Sequence, residues 1–191
     1  MINRMISEIR SALSHELYLS ALTLALTLPD TCGKAEYSAI MSTGKRYKNW
    51  CKKYVIKNRH DTPYDFDMPY LNEEIIYSLR CTLLHQSTPN IDRDGIHEER
   101  FKVDEFELVA SQDSLGDTSK IAYGAGMRIV HRGLRVHISH LCYILCEAAE
   151  HYYEENKEKF GFIQYSLVED IPWGSPSYCR IFSIFDQAKE K

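Results

Sequence analysis

The segment "PYLNEEIIYSLRCTLLHQSTPN", Pro69 to Asn90, holds the clearest helix in the chain and decides how the rest is arranged around it. Pro69 suits a first turn, Asn72 is a good cap, and Glu73 and Glu74 favour the positive end of the helix dipole. Pro89 bounds the far end. At about 100° per residue, Ile75, Leu79 and Leu83 fall on one stripe with Ile76 beside it, enough to seat the helix on a core. Taking Leu79 as zero, Arg80 lies at about 100° and His85 at about 240°, and the arc between them holds Tyr77, Cys81 and Leu84. That arc is a second apolar seam, edged by a cation and an imidazole. A helix with two apolar faces is sandwiched in its own domain or buried against a partner.

Upstream, Ile2, Ile6, Ile9, Leu13 and Leu17, then Ala21, Leu24 and Leu28, recur at helical steps and predict one long first helix, ended by "LPDTCG". A second helical stretch is expected from about Lys34 through "RYKNWCKKYVIKN", broken near "STGK" at Gly44. The loop "RHDTPYDFDMPY" leads into the third helix, the one quoted first. From residue 92 to 135 the pattern changes: "ERFKVDEFELVAS" alternates apolar and polar residues, and "KIAYGAGMRIVH" follows the turn signal "DSLGD". A β-hairpin or small sheet is predicted there. Helical spacing resumes through Val136, Leu141, Ile144, Leu145, Ala148 and Tyr152, with Gly161 as the C-terminal cap. The expected fold is mainly α, an up-and-down four-helix bundle with a β insertion between helices 3 and 4. It forms a single domain over 1–191: helical core 1–91 and 136–160, insertion 92–135, irregular tail 161–191.

Composition agrees with one folded domain. The chain has 191 residues, 44% hydrophobic and 26% charged, which excludes disorder as the main reading. A net charge of −4 argues against a protein that simply coats nucleic acid. The first thirty residues lack a signal peptide's order, and Ser20, Thr23 and Thr27 interrupt an apolar run too short for a membrane span. A soluble cytoplasmic chain with no membrane partner is expected. Cys32, Cys51, Cys81, Cys142, Cys146 and Cys179 form no CxxC pair, so reduced thiols are expected rather than a zinc ribbon or disulfide framework.

The chemistry worth weighing lies at Arg80 and His85. Their separation along a helix axis is about 7.5 Å, within reach of one phosphodiester. His85 falls in the last turn, where the dipole favours an imidazolium that can take a proton and return it. Arg80 supplies a permanent charge and a planar donor fork for phosphate oxygens. The spacing itself decides nothing, because Arg10 to His15, Arg132 to His137 and Arg135 to His140 share it. What separates Arg80 and His85 is the terminal turn and the second seam. If Tyr77, Cys81 and Leu84 pack on a symmetry mate, two copies of Arg80 and His85 line one cleft. An ordinary helix surface is the competing reading.

"LRCTLLHQ" resembles the R-x4-6-H motif of the HEPN superfamily, small helical-bundle proteins found among the RNases of bacterial toxin–antitoxin, abortive-infection and CRISPR defence systems. The resemblance covers the motif and the bundle outline, about 1–93 and 136–160. It implies metal-independent RNA cleavage at a homodimer interface, with Arg80 and His85 as catalytic residues, no cofactor, and an antitoxin or regulatory protein as partner. The residue after the Arg, commonly polar in the family, is Cys81 here. The position two after the His, a tyrosine in members modified by a nucleotidyltransferase, is Ser87, so the resemblance implies no such modification.

Three other constellations stand out in the sequence. From Lys45 to Arg59 the chain carries seven cations and no acid, with Tyr47, Trp50 and Tyr54 between them. Arg46, Lys48, Lys52, Lys53 and Lys57 are therefore candidates for binding RNA, against a solvated basic face whose aromatics belong to the core. His137, His140, Glu147 and His151 would need ligands from a second helix to hold a metal and are read as ordinary polar positions. "YGAGMR" reads as a bulge or turn rather than a phosphate loop.

Overall fold

The computed structural model describes residues 1–56, 70–96, 101–111 and 116–163. Met1–Gly161 forms one compact unit that carries every element below. Phe162–Lys191 forms a second, and the expected irregular tail lies outside the described residues from 164 onward. The first unit is mainly helical with a small three-stranded sheet.

The long first helix divides into three. α1 (Ile2–Ser14) buries Ile2, Ile6 and Ile9 and then stops. The amide of Leu17 bonds the Ala12 carbonyl at 2.9 Å, and Glu16 takes the left-handed conformation at φ 58°. Helices commonly end this way with glycine or asparagine, so a glutamate there leaves no mark in the sequence. α2 (Tyr18–Ala25) follows, and Leu17, expected on the apolar stripe, is 56% exposed. "LPDTCG" starts a helix instead of ending one: α3 (Leu28–Glu36) has Pro29 in its first turn, where the missing amide costs nothing, and Asp30 near its positive end. Lys34, the expected start of the second helix, belongs to the last turn of α3.

α4 (Thr43–Trp50) is capped by Ser42, whose hydroxyl accepts from the Lys45 amide at 3.4 Å, and runs into a π-helical stretch, Cys51–Ile56. α5 (Glu73–Gln86) begins as expected: the Asn72 side chain accepts from the amides of Glu74 and Ile75 at 3.0 and 3.1 Å. Its buried face differs in one respect. Ile75, Ile76 and Leu79 are in the core, but the stripe continues through Ser78 and Thr82 while Leu83 is only half-buried. Both hydroxyls bind the chain that doubles back after α5: Thr82 Oγ1 donates to the Asn90 carbonyl, and the Asp92 amide donates to Ser78 Oγ at 2.7 Å.

The sheet has strand order β1-β3-β2, from β1 (Glu105–Val109), β2 (Thr118–Tyr123) and β3 (Ile129–His137). β1 does not pair with β2 across "DSLGD". It runs parallel to β3, Glu105 opposite Gly133 through Val109 opposite His137, and the hairpin is formed by β2 and β3 around Ala125–Met127. α6 (Ile138–Glu155) follows β3 without a linking residue, two positions later than the helical spacing suggested. It ends at Asn156 rather than Gly161, and a short 3₁₀ turn, Lys157–Phe160, comes next. Trp50, Tyr47, Tyr152, Ile6, Leu22, Leu26, Ile75 and Leu79 are among the fully buried side chains of the core. No helix among the described residues is long and apolar enough to cross a membrane.

Candidate functional site

Arg80 and His85 meet within a single chain. Arg80 Nη1 lies 2.9 Å from His85 Nε2. Arg10 turns instead to Glu150 and Arg135 to Glu107, and Arg132 and Arg135 sit on a strand, so the shared spacing does not create the same pair elsewhere. The last turn of α5 is held for this by Ser87, which takes φ 56° and sends its amide to the Thr82 carbonyl. His85 is exposed, while the Arg80 side chain keeps only 16% of its surface.

A third residue completes the cluster. Arg80 Nε donates to Asp30 Oδ2 at 3.0 Å, and Nη2 lies at the same distance from that oxygen. Asp30 is fifty residues upstream, in the first turn of α3. Helix α3 is brought close by Gly33, where an added Cβ would stand 2.9 Å from the Arg46 carbonyl oxygen. Burial pushes the Asp30 carboxyl up, against the opposing charges of Arg80 and Arg46. Its other oxygen, Oδ1, is buried with no hydrogen-bond partner, which is why the guanidinium does not fully offset the loss of water. Burial works against the Arg80 charge as well, but Asp30 outweighs it and the guanidinium is raised.

The second seam is half-covered. Tyr77, Cys81 and Leu84 are each partly exposed. Tyr77 packs on Tyr47, centroids 5.3 Å apart, and its hydroxyl occupies the space over Gly44, where a Cβ would come within 2.7 Å. The expected break at Gly44 is therefore a place for the Tyr77 ring inside α4. Burial, then the neighbouring Cys81 thiol, raises the Tyr77 phenol.

Three cations of the basic stretch meet acids remote in sequence. Lys48 pairs with Glu74 at 2.8 Å, Lys52 with Glu73 at 3.7 Å and Lys53 with Glu36 at 2.6 Å. Arg46 donates to the carbonyls of Ile40 and Met41 at 2.5 and 3.2 Å. Tyr47 and Trp50 are in the core, and Tyr54 donates to Glu36. Lys57 and Arg59 lie outside the described residues. Lys45, Lys52 and Lys53 are exposed, and among the described paired cations of this stretch Lys52 keeps the most open side chain, 68%.

Glu36, at the end of α3, is a hub that sequence reasoning missed. Lys53, Tyr54, Tyr152 and Lys159 all donate to its carboxylate, at 2.6 to 3.0 Å. Burial acts to raise it, yet these four hydrogen bonds together draw it down to about 2. Among the described residues no three His, Cys, Asp or Glu side chains gather as a metal site. His151 faces Glu155 at 3.4 Å and Glu147 accepts from Tyr143. Cys32, Cys51, Cys142 and Cys146 are buried free thiols, Cys81 is partly exposed, and Cys179 lies outside the described residues.

Comparison with the known protein families, with characterised proteins and with solved structures finds no match.

Proposed function

We propose that the chain is a metal-independent endoribonuclease of HEPN type. Its fold in this reading is a four-helix bundle with a β insertion. It works as a cytoplasmic homodimer in a bacterial defence or toxin setting, with an antitoxin or regulatory protein as partner. The observation that carries the reading is the 2.9 Å contact between Arg80 Nη1 and His85 Nε2, beside the carboxylate of Asp30. An incoming phosphodiester draws Arg80 N–H groups onto its oxygens and frees Nε2. Nε2 takes the proton of the 2′-hydroxyl, the 2′-oxygen bonds to phosphorus, and the bond to the 5′-oxygen breaks. The imidazolium then returns its proton to that oxygen, leaving a 2′,3′-cyclic phosphate and a 5′-hydroxyl. Arg80 holds the crowded anionic phosphate between these steps. Tyr77, Cys81 and Leu84 form the dimer seam beside the pair.

Purified protein incubated with RNA in EDTA should cleave it. His85→Ala removes the proton carrier from an exposed site and should lower turnover by about 10²- to 10⁴-fold with the melting temperature unchanged. Arg80→Ala strands the Asp30 carboxylate, so Arg80→Lys is the companion variant: it keeps the charge and loses the fork. Cleavage at wild-type rates in His85→Ala would end this assignment.

A second reading is favoured by one observation: Arg80 is already engaged by Asp30 and His85, and Lys48, Lys52 and Lys53 of the basic stretch meet acids. In that reading the chain is a catalytically inactive HEPN-like module that binds RNA, a nucleotide or a protein. RNA retained without turnover, and unaffected by His85→Ala, would select it.

A further inference from the structure

We infer that Asp30 is a positioning residue that, through Arg80, fixes His85 with its proton on Nδ1 and its Nε2 lone pair turned to the guanidinium. The inference rests on Arg80 and His85 being the working pair, but its test does not need turnover. A guanidinium has five N–H donors and no acceptor. The 2.9 Å contact between Arg80 Nη1 and His85 Nε2 therefore requires a lone pair on Nε2, and in a neutral imidazole the proton must then sit on Nδ1. That places the basic nitrogen beside the group that would receive the phosphate.

Arg80 could not impose this alone, because an arginine side chain has many rotamers and His85 is exposed. Asp30 removes the freedom by taking Nε and Nη2 on one oxygen, which sets the plane of the fork and leaves Nη1 directed at the histidine. Nε is thus given to Asp30 and Nη1 to His85, with Nη2 3.0 Å from the same Asp30 oxygen. The carboxylate also carries a cost. Its Oδ1 is buried without a partner, a cost that an apolar side chain at this place would avoid. The same closure keeps Oδ1 from any ligand, so Asp30 acts on Arg80 and not on a substrate. Gly33, one turn on, supplies the close approach to α4 that holds Asp30 in position.

The test is the tautomer of His85, read from long-range ¹H–¹⁵N correlations of histidine-labelled protein at alkaline pH. The His85 signals are assigned by their loss in His85→Gln among the eight histidines of the chain. The wild type should be mainly Nδ1–H. Asp30→Asn, Asp30→Ala and Arg80→Lys should each move His85 to mainly Nε2–H, the form an unrestrained imidazole prefers, with the other histidine signals in place. A wild-type His85 protonated on Nε2, or an Nδ1–H form that persists in the variants, overturns the inference. Should Asp30→Ala not fold, the wild-type spectrum and that of the isosteric Asp30→Asn decide it. Where RNA is cleaved, Asp30→Asn should lose on the order of a hundredfold in kcat with KM moved by less than about twofold. If the tautomer shifts as expected and the wild type cleaves no RNA, the positioning role stands and the ribonuclease reading falls.

Discussion

Replacing Glu36 by glutamine keeps its shape and removes its charge from a cluster of four donors, Lys53, Tyr54, Tyr152 and Lys159. The carboxyl stands at about 2, against an ordinary value of 4.5. At 1.36 kcal/mol for each tenfold, that difference sets a ceiling of about 3.4 kcal/mol. The Lys53 and Lys159 side chains are 49% and 38% exposed, so solvent screens a good part of it. A loss of about 1.5 to 2 kcal/mol at pH 7 is the expected cost. Because the folded carboxyl is depressed, the stabilisation is complete above the unfolded value and fades as pH falls towards the folded one. Urea unfolding of wild type and Glu36→Gln at pH 7 and pH 3 measures it: less than about half of the difference should survive at pH 3. A difference below about 0.5 kcal/mol at pH 7, or one that does not shrink on acidification, would refute the reasoning. Asp30, on the same helix, has the opposite sign. Its raised carboxyl favours the fold at low pH, and that contribution is lost as pH rises through its folded value.

Gly33→Ala puts a Cβ 2.9 Å from the Arg46 carbonyl, a backbone atom that cannot turn aside. Overpacking of about 1 to 3 kcal/mol should outweigh the gain of up to about 1 kcal/mol in helix propensity, and a variant more stable than wild type in urea would count against the close approach. Lys53→Glu places a carboxylate beside Glu36, so it should lower the melting temperature, while Lys45→Glu on exposed α4 should leave it unchanged. If Lys53→Glu melts with the wild type, the hub is not what holds this corner.

How much of this was legible depended on whether the deciding partner was local. Helix α5 was readable because Asn72, Glu73 and Glu74 carry its start in their own side chains. The sheet was readable as alternation, but its order was not, since nothing in β1 says that it will lie parallel to a strand beyond β2. The break after α1 was hidden by a glutamate in a place where glycine is usual. Asp30 looked like a turn former, because proline and aspartate serve a helix start as well as a helix stop. The cations from Lys45 onward looked free because the acids that meet them, Glu36, Glu73 and Glu74, come from other segments. The pair that drew attention first, Arg80 and His85, was found on α5 alone; its third member needed the fold.

The order of strands carries a consequence for how the chain assembles. β2 and β3 are joined by a short turn, so this hairpin can form from local contacts alone, within microseconds of its residues becoming available. β1 must wait, because its parallel partner begins twenty-eight residues later at the Glu105 to Gly133 pairing, and closing that larger loop is the slower step. Once β3 is placed, α6 is placed with it, since one runs into the other at His137 and Ile138. During synthesis β1 therefore leaves the ribosome as an unpaired edge, and the last strand to be made is the one that recruits it.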